Sequence, residues 1–129
     1  MNARWPSRRV LAFVAMAVVA PAAADELQAT LAALQAVDSE QQALFQQFQM
    51  LQSLRANEQG AAAQAYLPQP GPPRNYDDVV REREDAIARA DAYQAELDAI
   101  YDRHRQLEAR KQELLERLRV LRTTPPSEQ

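Results

Sequence analysis

The chain lacks cysteine, has two glycines and one histidine, and contains no apolar run long enough to cross a bilayer. Without cysteine there is no disulfide scaffold, zinc ribbon, thiol nucleophile or cysteine-borne lipid anchor. Gly60 and Gly71 stand alone, so no glycine loop is available to cradle a phosphate. His104 has Asp102 and Glu108 near it in sequence, whereas a metal centre needs three or four converging ligands; we expect no metal and no cofactor. Acidic residues are missing from the first 24 positions, which hold Arg4, Arg8 and Arg9; the remainder carries 12 basic against 18 acidic residues. A net charge of −3 gives no reason to expect nucleic acid as a ligand.

Residues 1–24 have the three parts of a secretory signal. Arginines come first, the apolar run Val10 to Ala20 comes next, and Ala22 and Ala24 place small side chains at the third and first positions before a cut. The apolar run is shorter than the roughly 20 residues a membrane-spanning helix needs, so a cleaved signal is expected rather than an anchor. Ser7-Arg8-Arg9-Val10-Leu11 also resembles a degenerate twin-arginine signal. The expected location is the periplasm, or outside the cell, with no stable membrane span after cleavage.

Residues 25–129 are rich in Ala, Gln, Glu, Leu and Arg, the composition of long exposed helices. From Leu27 a three-then-four rhythm marks one helical face: Leu27, Thr30, Leu34, Val37, Gln41, Leu44, Phe48, Leu51, Arg55, Glu58, Ala62 and Ala65, widened by Leu31, Phe45 and Leu54. This predicts a first helix over about 26–66, weakened near its end by Gly60. Residues 67–76, with Pro68, Pro70, Pro72 and Pro73, cannot be helical and form a stiff corner. Asn75 or Asp77 can cap a second helix over about 77–122, and residues 123–129 make a disordered tail. Within that helix Val79, Ala86, Tyr93, Ile100, Leu107, Leu114 and Leu121 recur every seven residues, interleaved with Arg83, Ala90, Leu97, His104, Lys111 and Leu118. The pattern is a coiled-coil seam with polar insertions. The fold class expected is all-α: an antiparallel two-helix coiled-coil hairpin preceded by a cleavable signal peptide.

Folding the chain symmetrically about Gly71, give or take a turn, sets Glu58 opposite Arg83 and Asp38 near His104, four polar residues expected to fix register. The same symmetry sets Leu114, Leu118 and Leu121 opposite Gln28, Ala24 and Pro21. Signal removal would then leave Leu118 and Leu121, with Leu115 and Val120 beside them, as an apolar overhang that recruits a partner. A second candidate docking point is the corner itself, where Tyr66, Leu67 and Tyr76 frame a PxxP spacing; the plainer expectation is that the two tyrosines pack together and close the hairpin end.

Carboxylate pairs such as Glu82 with Asp85 lie on a helix face without a pocket to shift their pKa values, so no catalytic residue is expected and the chain is read as a non-enzyme. The function expected is that of a periplasmic coiled-coil protein acting through protein partners, by self-assembly as a homo-oligomer or as a structural or adaptor subunit of an envelope complex. The competing expectation is a holdase-type chaperone for unfolded clients. Export is checked by mass spectrometry of the secreted form: Asp25 should be its first residue, and a full-length membrane-bound product would refute the signal.

Overall fold

The computed structural model describes residues 20–124, which form two long α-helices, α1 (Ala20–Gln64) and α2 (Tyr76–Thr123), and no strand. The helices lie side by side and antiparallel, since Glu26 near the start of α1 meets Arg117 near the end of α2, and Glu58 meets Arg89. Residues 1–19 and 125–129, and with them most of the expected signal and tail, lie outside the described residues. Helix α1 begins before position 26, because Pro21 falls in the first turn, where a missing N–H is tolerated, and Ala22 to Ala24 favour helix.

The rhythm read from α1 is the contact face. Every member of the three-then-four series from Leu27 to Ala65 is buried or half-buried, with Val37, Leu51, Ala62 and Ala65 in the core. Thr30 is buried too, and its hydroxyl donates to the Glu26 carbonyl at 2.9 Å, which removes the cost of hiding it. On α2 the seven-residue series supplies Ala86, Ile100, Leu107 and Leu114, and the interleaved series supplies Ala90, Leu97 and Leu118. Its polar members are displaced outward: Arg83 and His104 are exposed, and Lys111 is half-buried. Val37 packs with Leu107 and Leu114 in one cluster, Leu51 with Leu97 and Ile100 in the next, and Leu44 bridges them.

The ends of α2 are chemically fixed. Asn75 is its N-cap, with extended backbone and a side-chain oxygen accepting from the Asp77 N–H at 3.2 Å, while Asp77 and Asp78 put negative charge at the positive end of the helix dipole. At the other end Thr123 and Thr124 turn their hydroxyls back to the Val120 carbonyl at 3.2 and 2.8 Å. In the corner Gly71 has φ +143°, a conformation L side chains avoid.

The register differs from a symmetric fold about Gly71. Glu58 pairs with Arg89, not Arg83, and Asp38 pairs with Lys111, not His104. The corner is the reason. It does not cross straight over; Arg74 runs back along α2 to pair with Glu82, and Tyr66, just past the end of α1, already lies level with Arg83, two turns into α2. The first two turns of α2 therefore extend past α1 and face the corner, and the Glu58–Arg89 and Asp38–Lys111 pairings are displaced along α2, whereas Glu26–Arg117 and Glu40–Arg103 lie within one residue of the symmetric register.

Gly60 does not end α1, which continues to Gln64 with open space where a β-carbon would be added. Gly60→Ala should therefore raise stability by about 0.5–1 kcal/mol, the usual gain from filling a helical glycine. Denaturant unfolding followed by circular dichroism measures this. A loss of stability would mean that the helix stops at Gly60.

Candidate functional site: the aromatic edge

Two packed helices have two long edges where the seam meets solvent, and in this hairpin the edges differ in chemistry. On one edge Glu40 and Glu58, 18 residues or five turns apart, fall on the same side of α1 and pair with Arg103 at 2.6 Å and Arg89 at 3.0 Å; Glu26 pairs with Arg117 further along. Acid on α1 and arginine on α2 seal that edge with charge.

The opposite edge carries Asp38, Gln41, Phe48 and Tyr66 on α1. Asp38 accepts from Lys111 at 2.7 Å, Gln41 donates to Glu108, Phe48 meets Tyr101 edge-on with ring centroids 5.4 Å apart, and Tyr66 lies beneath the Arg83 guanidinium at 5.2 Å. The Asp38 hydrogen bond holds the Lys111 ammonium above the usual lysine pKa, so that contact persists until strongly alkaline pH. Between the Gln41–Glu108 and Phe48–Tyr101 contacts the edge is open. A groove of about 220 Å³ lies there, walled by Leu44, Phe45 and Phe48 on α1 and by Ile100, Tyr101 and His104 on α2. Phe45 remains 60% exposed and Tyr101 55%.

Local sequence produces this opening. Phe45 lies one residue beyond Leu44 and Tyr101 one beyond Ile100, so each aromatic sits beside a seam residue and stands out at the same edge. The segment Gln41–Leu54 carries no charge, which leaves no side chain on α1 to bridge the gap with an ion pair.

The residues expected to form sites fall into three groups. Leu114 (5% exposed) and Leu118 (8%) are inside the hairpin, with Leu121 half-buried, and Leu115 and Val120 are exposed; this is the chain with residues 20–24 still part of α1, whereas the overhang is expected once those residues are removed. Leu114 belongs to the cluster with Val37 and Leu107, against which Ala33 and Leu34 pack, and Leu118 is buried one residue past Arg117 of the Glu26–Arg117 pair. At the corner Tyr66, Leu67 and Tyr76 are exposed; the ring of Tyr66 faces Arg83, and Tyr76 remains 69% accessible. Of the four residues assigned to register, Glu58 and Asp38 do bridge the helices, to other partners; Arg83 covers Tyr66, and His104 lines the groove.

Sequence reasoning places Phe45 on the seam's margin and passes over Tyr101. The available signal is the uncharged stretch of α1 holding two phenylalanines three residues apart. Among the described residues no group of three or more His, Asp or Glu is placed to hold a metal, and no helix is long and apolar enough to cross a membrane.

The register is testable through its ion pairs. A double-mutant cycle on Glu58 and Arg89 should return a coupling of about 0.2–1 kcal/mol, the range for a partly exposed pair, whereas the cycle on Glu58 and Arg83 should return none. Coupling to Arg83 in place of Arg89 would restore the symmetric fold.

Comparison of the chain with family models, curated proteins and solved structures finds no match in any of the three.

Proposed function

We propose that this chain is an exported, non-enzymatic coiled-coil protein of the periplasm that works by assembly, with itself or as a structural or adaptor subunit of an envelope complex. The observation that carries the reading is the pairing of a closed seam with one open aromatic edge. The apolar stripe of each helix is consumed by the other, so the molecule is already a defined rod. Most of its exposed large apolar side chains gather at the groove, the corner and the last turns of α2, with Met50 and Ile87 standing apart. Small, fixed patches on a stiff element suit stoichiometric docking.

A holdase is the rival, because it too would use an open groove. It needs a long apolar surface that adapts to many sequences, and here most of the seam leucines are inside. Two measurements separate the readings. In periplasmic extract the protein should migrate at a discrete mass above that of one chain, and the purified protein should not slow aggregation of an unfolded client at equimolar ratio. Migration as single chains together with protection of the client would overturn assembly in favour of chaperoning.

A further inference from the structure

Resting on the assembly reading, we infer that the aromatic edge is a self-association surface: two copies of this chain join edge to edge about a two-fold axis parallel to the helices, and Phe45 of each fills the groove beside Tyr101 and His104 of the other.

The groove is small. At about 220 Å³ the groove lies below the roughly 300–1,000 Å³ typical of small-molecule pockets. It has room for one protruding aromatic side chain. Phe45, at the rim and 60% exposed, is such a side chain. It is level with His104, because the Gln41–Glu108 and Phe48–Tyr101 contacts bracket both residues.

The edge also complements itself. Half a turn about an axis along the edge lays the partner's α1 on α2 and the partner's α2 on α1, with levels preserved. Phe45 then arrives at the level of the partner's His104, beside the partner's Tyr101. The Asp38–Lys111 pair arrives beside the partner's own pair with acid next to base, and Tyr66 arrives at the partner's Arg83. No like charges oppose one another along these contacts, and each helix gains a second antiparallel neighbour, which makes a four-helix bundle.

Charge argues against the other edge as the contact. It holds three intrachain ion pairs, Glu26–Arg117, Glu40–Arg103 and Glu58–Arg89, against the single Asp38–Lys111 pair of the aromatic edge, so burying it would desolvate more charge with little apolar area in return. The outer face of α1 offers Met50, but five residues on from Phe45 it points about 140° away, off the edge where the seam meets solvent.

Sedimentation of the purified exported form, residues 25–129, at tens of micromolar should give two chains per particle. Phe45→Glu should weaken association by about 30-fold or more, as for a central aromatic anchor, without loss of helicity, while Met50→Glu leaves the dimer intact. The axis is read separately. The chain has no cysteine, so Gln41→Cys and Glu108→Cys copies mixed under oxidation should form the 41–108 disulfide between copies in preference to 41–41. A monomeric chain, or a dimer indifferent to Phe45→Glu, overturns the aromatic edge as the contact, and a dominant 41–41 disulfide overturns the axis. In each case the discrete mass in periplasmic extract still decides the broader assembly reading independently.

Discussion

Everything in this molecule depends on a single row of contacts. A two-helix hairpin has one seam, and each helix has only the other to bury its apolar stripe against, so register, shape and exposed chemistry are all set by how that seam is aligned. Displacing α2 by one turn would bring Lys111 and His104 to different levels of α1 and separate Val37 from the Leu107–Leu114 pair. The ion pairs along the edges contribute little energy individually, because they are partly exposed. Their value is in distinguishing registers: acid on α1 meets base on α2 in the observed alignment at Glu26, Asp38, Glu40 and Glu58.

The fold is legible in the sequence because the two periodicities are unbroken. Every position of the α1 series from Leu27 to Ala65 is buried or half-buried, including the polar Thr30, and the seven-residue series on α2 predicts core positions from Ala86 to Leu114. The four prolines locate the corner, and Asn75 is one of two residues expected to cap α2. Register is not legible, because periodicity fixes which face is inward and says nothing about sliding along the axis. That depends on the path of the corner, and the Arg74–Glu82 contact that draws it back along α2 joins residues of ordinary type at ordinary spacing.

The candidate site inherits both successes and failures. A symmetric register makes Leu118 overhang once the signal is removed and puts a docking end there; with residues 20–24 still part of α1, Leu118 is buried in the seam. The aromatic edge escapes notice for a related reason. Phe45 and Tyr101 lie on different helices 56 residues apart in sequence, and only the true alignment brings them to the same groove. A single helical wheel shows each as a margin residue. Their significance arises from what faces them.

The seam also grades along its length, in a way that suits a hairpin. Near the corner it is built from alanines, Ala62, Ala65, Ala86 and Ala90; from the middle to the open end it is built from Leu51, Leu97, Ile100, Leu107, Val37, Leu114 and Leu118. Alanine layers let helix backbones approach closely but bury little area, whereas each buried leucine or isoleucine contributes roughly 1.5–3 kcal/mol. Where the chain connection already holds the helices together, small residues suffice, because the loss of freedom on pairing is least there. At the far end no covalent link opposes splaying, and the large side chains stand where that burden falls. The open groove lies where the leucine-rich half begins, flanked by Leu44 and Ile100 of the core, so its walls rest on the most firmly packed part of the hairpin. A docking surface placed there is held in shape by the same burial that keeps the two helices together.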